Sequence, residues 1–105
     1  MANMMKMMKQ VQEMQANMAK AQEELAEQEV EFSAGGGMVT ATATCDGNLQ
    51  GLKIDPKVID PEDAEMLEDL IVAAVDGAIR AAKKTSEEKM SGLTKGLNLP
   101  PGMGF

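Results

Sequence analysis

Six acidic residues fall within ten positions, and this is the densest group of side chains that could bind a metal ion. Two of them, Glu65 and Asp69, are four apart, as metal ligands on one helix would be. Acids in the first turns of a helix also interact favourably with the positive end of its dipole. We prefer this second interpretation and predict no metal site. The group comprises Asp60, Glu62, Asp63, Glu65, Glu68 and Asp69.

Neither the single cysteine nor the glycine run carries a catalytic pattern. Cys45 has no histidine anywhere in the chain to activate its thiol. It follows a run of alternating apolar residues, so a small, reduced and buried side chain is expected. The run Gly35-Gly36-Gly37 precedes a strand and lacks a following Gly-Lys-Ser/Thr, so it predicts a turn and not a phosphate-binding loop. We therefore predict no catalytic residue, no cofactor, no small-molecule substrate and no enzymatic activity.

Composition favours a single domain whose core is aliphatic. The 105 residues include 11 Met and two Phe but no Trp or Tyr, and a chain of this length can bury most of its unfolded surface. No apolar stretch is long enough to span a membrane. No signal-peptide core follows the early lysines. A cytoplasmic location without membrane contact is expected.

Positive charge is concentrated near the two ends of a chain whose net charge is -7. Residues 1–20 sum to +2, residues 21–79 to -12 and residues 80–95 to +3. Arg80, Lys83 and Lys84 recur at helical spacing and could follow the phosphates of a polyanion. They could equally be cations at a helix end that pair with Glu87 and Glu88. The charge pattern alone leaves both interpretations open.

Residues 3–27 have the heptad pattern of one long helix. An apolar residue recurs every seven positions from Met4, and Met7, Met14 and Ala21 occupy the positions three further on. A helix of this length with one apolar seam needs a partner helix, so the seam predicts a dimer interface. The alternative is an adaptable Met-rich groove for a partner protein. The predicted interface residues are Met4, Val11, Met14, Met18 and Leu25.

Three strands are predicted after this helix, over residues 28–34, 38–45 and 49–54. The second strand, MVTATATC, alternates most clearly, with its apolar side chains on one face and its threonines on the other. Asp46-Gly47 is typical of a tight hairpin turn. Val30, Phe32, Leu52 and Ile54 are expected on the inner face. The resulting structure is an antiparallel meander.

A second long helix is predicted to begin with Asp60 as N-cap and Pro61 as first residue. Apolar residues then recur at three- and four-residue steps to about Lys84, and the helix could extend to Met90. The sequence Thr85-Ser86-Glu87-Glu88 resembles a capping box, which would restart the helix after a kink. Residues 1–91 are expected to form one helix–sheet–helix domain of the α+β class, and residues 92–105 a flexible Gly/Pro-rich tail.

Several segments together resemble the YbaB/EbfC family of bacterial nucleoid-associated proteins. They are MMKMMKQVQEMQANMAKAQEEL at the start, GGGMVTATATCDG, the IDP at residues 54–56, EMLEDLIVAAVDGA, the EKM at residues 88–90 and the LPPG at residues 99–102. The resemblance covers essentially the whole chain. It implies a tweezers-shaped homodimer with an antiparallel sheet and projecting helices, located at the nucleoid.

The resemblance also implies binding to duplex DNA with little sequence preference, through the first and last helices. Thr40, Thr42 and Asp76 stand where the family often has a charged residue or asparagine, which lowers the local positive charge. The expected function is organisation of DNA through phosphate contacts, with possible effects on gene expression. The alternative is a protein-interaction module that uses the Met-rich helix. The predicted DNA contacts are Lys6, Lys9, Lys20, Arg80, Lys83, Lys84 and Lys89.

Overall fold

A computed structural model of the chain describes residues 2–95; residue 1 and residues 96–105 lie outside the described part. The element order is α1 (Ala2–Glu27), β1 (Glu29–Ala34), β2 (Val39–Thr44), β3 (Leu49–Ile54), a short 3₁₀ turn (Pro56–Val58) and α2 (Ala64–Lys95). The strands form one sheet in the order β1-β2-β3. The molecule extends 74 × 25 × 16 Å. The predicted α+β fold class and its element order are confirmed.

Both hairpins of the sheet are antiparallel, as the alternating pattern predicted. Val30 pairs with Ala43 and Phe32 with Ala41, so these apolar side chains share one face. The register between β2 and β3 shifts at Thr42/Ala43. The three glycines between β1 and β2 all have positive φ, between 64° and 93°. Residues other than glycine rarely adopt this backbone conformation, so the three glycines allow the chain to turn between β1 and β2.

The core lies between β2 and the middle of α2, and both surfaces consist largely of alanine. Val39, Ala41 and Ala43 recur every second residue along β2, while Ala74, Ala78 and Ala82 recur every fourth residue along α2. All six are 0% exposed. The absence of long side chains lets the helix approach the sheet closely, and larger aliphatic residues close the margins. This rigid centre fixes the direction of α2.

Phe32 of β1 packs against α2 at Gly77. A Cβ atom added at Gly77 would lie 2.1 Å from Cδ1 of Phe32, which is far inside van der Waals contact. Glycine at position 77 therefore makes room for the aromatic ring on the helix surface. The opposite edge of the sheet is less covered because α2 packs mainly on β1 and β2. Leu49 and Leu52 on β3 remain 47% and 39% exposed.

The start of α2 differs from the prediction by a few residues. Asp60 does not cap the helix; its Oδ1 accepts a hydrogen bond of 3.0 Å from the Glu62 backbone N–H in the preceding turn. Asp63 takes the capping role, because its Oδ1 accepts a bond of 3.3 Å from the Met66 N–H. α2 consequently begins at Ala64. Asp60-Pro61 is typical of a helix N-terminus, but Asp63, three residues after Asp60, caps α2 instead.

The end of α2 also differs from the prediction, since the helix runs unbroken to Lys95. Thr85 and Ser86 are half-buried within it and do not restart a helix. Hydrogen bonding along a continuous helix satisfies the backbone groups that a new N-terminus would leave unpaired. Residues 92–95 of the predicted tail thus belong to α2. The remainder of the predicted tail, residues 96–105, lies outside the described residues.

Candidate nucleic-acid interface

The first half of α1 presents two lysines on a segment that does not pack on the rest of the chain. Residues 3–13 are all exposed. Lys6 and Lys9 are one turn apart and border a shallow depression together with Met5, Met8 and Gln12. No acidic residue precedes Glu13 in the sequence. Within residues 2–95, neither lysine forms an ion pair with a carboxylate. Both ammonium groups are therefore available to a polyanion. This surface is called the α1 tip (residues 3–12).

Three cations of α2 lie on an exposed face that also carries carboxylates, and within residues 2–95 Arg80 is the one of the three that forms an ion pair. Nε of Arg80 is 2.9 Å from Oδ2 of Asp76 one turn before it, and both side chains are largely exposed. Lys83 and Lys84 are exposed, and two acids follow one turn later. The face therefore has no net formal charge. This surface is called the α2 mixed face and comprises Asp76, Arg80, Lys83, Lys84, Glu87 and Glu88.

Lys89 lies away from that face and binds an acid of the other helix. Its Nζ is 2.5 Å from Oε2 of Glu24, although the two residues are 65 positions apart in the chain. The Lys89 side chain is 29% exposed and that of Glu24 is 49% exposed. Lys89 is thus already neutralised within the chain. Of the predicted DNA contacts, it has the least freedom to reach a phosphate.

Lys89 also acts on the ionisation of Glu24. Its hydrogen bond and its positive charge lower the pKa of the Glu24 carboxyl, and the exposed Lys20 one turn away adds a smaller effect of the same sign. Each cation favours the charged carboxylate. Glu24 consequently stays ionised to lower pH than an ordinary glutamate. Lys20 therefore also interacts electrostatically with Glu24, and this acid offsets part of its positive charge.

The exposure of the predicted dimer-seam residues decreases along α1. Met4 and Val11 are 71% and 54% exposed, while Met14 and Met18 are half-buried. Leu25, in contrast, is 2% exposed within a single chain. Its own chain already covers Leu25, so it has almost no surface left for a second copy. The heptad pattern is continuous along α1, but only its C-terminal end is covered within the chain.

Two further candidates from the sequence were Cys45 and the acidic residues between positions 60 and 69. Cys45 is 2% exposed at the end of β2, which confirms its predicted burial. Within residues 2–95, no three His, Cys, Asp or Glu side chains are arranged to hold a metal ion. Over the same residues, neither helix is long and apolar enough to cross a membrane.

Sequence reasoning identified every surface lysine discussed above but missed the role of Glu24. The ion pair between Glu24 and Lys89 joins two helices that are separated by the whole sheet in sequence. Local charge rules connect residues three or four apart, so they contain no signal for such a pair. The family resemblance, which implies DNA contacts on the last helix, placed Lys89 among the predicted contacts instead.

Comparison with known proteins gives a consistent result along the whole chain. Residues 1–97 match the model of the YbaB/EbfC DNA-binding family. A protein described as a nucleoid-associated protein from Akkermansia muciniphila is 55% identical over 103 residues, which cover 98% of this chain and 99% of the relative. The crystal structure of an uncharacterised protein from Helicobacter pylori superimposes with a TM-score of 0.63 at 22% identity. That superposition covers 74% of this chain and 90% of the other, and it supports the fold.

Proposed function

Because this chain belongs to the YbaB/EbfC DNA-binding family, we propose that it is a nucleoid-associated protein of the bacterial cytoplasm. It binds duplex DNA through the phosphate backbone, with little preference for sequence, and alters the conformation of the DNA it covers. The α1 tip is the observation that carries this proposal. It places Lys6 and Lys9 at the exposed start of a helix where no carboxylate competes for them.

The chemistry of the exposed side chains favours phosphates over bases. Lysine is a mobile point charge that positions a protein on the backbone, whereas sequence is read by hydrogen bonds to base edges. Asn3, Gln10 and Gln12 are the side chains of the α1 tip that could hydrogen-bond to a base edge. The tip has no arginine or aromatic residue, so it lacks a platform for stacking single strands. Its two cations are lysines, which contact phosphates. Contacts of this type would bind all duplex sequences similarly.

A homodimer would make these contacts in pairs. Met4, Met7 and Val11 leave large apolar surfaces exposed on the first half of α1, and such surfaces commonly mark an interface. Two projecting helices would then present two lysine pairs to one duplex, in the manner of tweezers. With a net charge of -7 per chain, the dimer would approach DNA only through these local cationic surfaces.

Titration of an arbitrary duplex at several salt concentrations tests the proposal. If the two α1 tips of a dimer engage about four phosphates, log affinity should fall against log salt with a slope of about -3.6, since each contact contributes about -0.9. Duplexes of different sequence should bind within a few-fold of one another. Light scattering on the same samples should give about twice the chain mass.

Two outcomes would contradict the proposal in different ways. Absence of salt-dependent binding would assign the Met-rich helix to a protein partner instead. A strong preference for one sequence, retained at high salt, would replace the phosphate mechanism with base readout.

A further inference from the structure

The ion pair between Glu24 and Lys89 connects the part of α1 that packs to the part of α2 that lies beyond the sheet. α1 contacts α2 and β2, and its buried residues Ala21 and Leu25 lie on either side of Glu24. The apolar contacts of Ala21 and Leu25 hold this part of α1 against the rest of the chain. The charge-assisted hydrogen bond between Lys89 and Glu24 adds a directional contact between the two helices.

The distance from this ion pair to the α1 tip makes the helix angle important. Lys6 lies 18 residues before Glu24, which is roughly 27 Å along the helix at 1.5 Å per residue. A rotation of 10° about Glu24 would move the tip by about 5 Å, which exceeds the 3.4 Å axial spacing of phosphates along one strand. A small change in angle would therefore disturb the register of both lysines on DNA.

We propose that Lys89 is a positioning residue, which with Glu24 sets the angle between α1 and α2 and thereby the location of Lys6 and Lys9. This inference rests on the proposed DNA-binding function. It removes Lys89 from the set of phosphate contacts and adds Glu24, an acid, to the residues that support DNA binding. Loss of a negative charge at position 24 would then weaken binding to a polyanion.

The two roles of Lys89 predict opposite effects for one substitution. If Lys89 contacted phosphate, Glu24→Gln would release it and also remove a repulsive charge, so DNA affinity would rise. If Lys89 positions α1, Glu24→Gln should lower affinity by about threefold or more. It should also match Lys89→Gln, because both variants break the same bond. The double variant should then be no weaker than either single variant, as expected for residues that act as a unit.

Three further variants make the comparison specific. Glu23→Gln is the matched control, since it removes one exposed negative charge next to Glu24 without touching the ion pair. The charge swap Glu24→Lys with Lys89→Glu retains the net charge and restores the bond in reverse, so it should recover most of the affinity. Lys89→Arg should also bind nearly as well as the original chain. A phosphate contact at position 89 would not survive the charge swap.

The helix angle can be measured without DNA, which separates this inference from the proposed function. Spin labels at Gln10→Cys and Val72→Cys, in a Cys45→Ala chain diluted with unlabelled protein, report the distance from the α1 tip to α2. We expect one narrow distribution in the original chain, the charge swap and Glu23→Gln. Glu24→Gln and Lys89→Gln should broaden or shift it.

Each result is decisive. An unchanged distance distribution in Glu24→Gln would overturn the positioning role, and so would tighter DNA binding by that variant. If the distances change as expected while no chain binds DNA, the ion pair still sets the helix angle and the DNA-binding function is what fails.

Discussion

The first half of α1 and the middle of α2 are both helical and both carry lysines, yet they differ in every other respect. α1 is exposed throughout residues 3–13, and its two cations lack nearby acids. α2 buries Ala74, Ala78 and Ala82 completely and balances its cations against carboxylates. α2 is thus built into the core, whereas the first half of α1 is left accessible. The contrast shows that a count of lysines does not locate a polyanion-binding surface, because neighbouring acids decide the local potential.

The largest effect is expected where α2 packs on the sheet. Ala78→Leu inserts a larger side chain at a position that is 0% exposed within the alanine core. Overpacking of this kind should lower the free energy of unfolding by about 3 kcal/mol. Urea unfolding at a fixed protein concentration measures it. Val72→Leu on the exposed face of the same helix is the control, and it should change stability by less than about 0.5 kcal/mol. Equal losses of stability in Ala78→Leu and Val72→Leu would show that Ala78 does not lie in a tightly packed core.

The next effect is expected at the α1 tip. Lys6→Gln with Lys9→Gln should weaken DNA binding at 0.1 M salt by about 60-fold for each engaged tip, since each lost contact costs about eightfold at that concentration and each tip loses two contacts. The free energy of unfolding should change little, because residues 3–13 are exposed. Fluorescence anisotropy with labelled duplex measures the affinity. Gln10→Ala and Gln12→Ala provide uncharged controls on the same segment. An unchanged affinity would exclude the α1 tip as the main contact surface.

The smallest effect is expected on the α2 mixed face. Replacing Arg80, Lys83 and Lys84 by Gln should weaken DNA binding by less than about tenfold, because the three cations are already offset by carboxylates. The complementary change of Asp76 to Asn with Glu87 and Glu88 to Gln should raise affinity if this face meets the duplex. Both are measured by the same anisotropy titration. If replacing these three cations lowered DNA affinity as much as replacing Lys6 and Lys9, the principal phosphate contacts would lie on α2 and not on the α1 tip.

Local patterns predicted the fold well, because most of its elements depend on neighbouring residues. The alternation of MVTATATC predicted which side chains of the central strand face the core. Asp46-Gly47 predicted the hairpin that joins β2 to β3. The boundaries of α2 were less accurate. Asp60-Pro61 and Thr85-Ser86 both resemble helix starts, but competing backbone hydrogen bonds in the folded chain favoured Asp63 as the cap and a continuous helix.

The candidate site was predicted only in part, since its arrangement depends on tertiary contacts. A heptad pattern states that Leu25 needs an apolar neighbour but does not state whether that neighbour is in the same chain; Leu25 is covered within its own chain. The family resemblance, which implies DNA contacts on the first and last helices, likewise selected Lys89 without indicating its partner Glu24. The role of the remaining lysines in DNA binding stays a prediction.

The elongated shape of the chain has a hydrodynamic consequence. Its radius of gyration is 19.8 Å, whereas a compact domain of this length would have about 13 Å. Friction in solution increases with elongation, so even a single chain would sediment slowly and elute early from a gel-filtration column. A column calibrated with globular standards would therefore overestimate its mass and could report a monomer as a dimer. The number of chains in the particle has to be counted by a method that does not depend on shape.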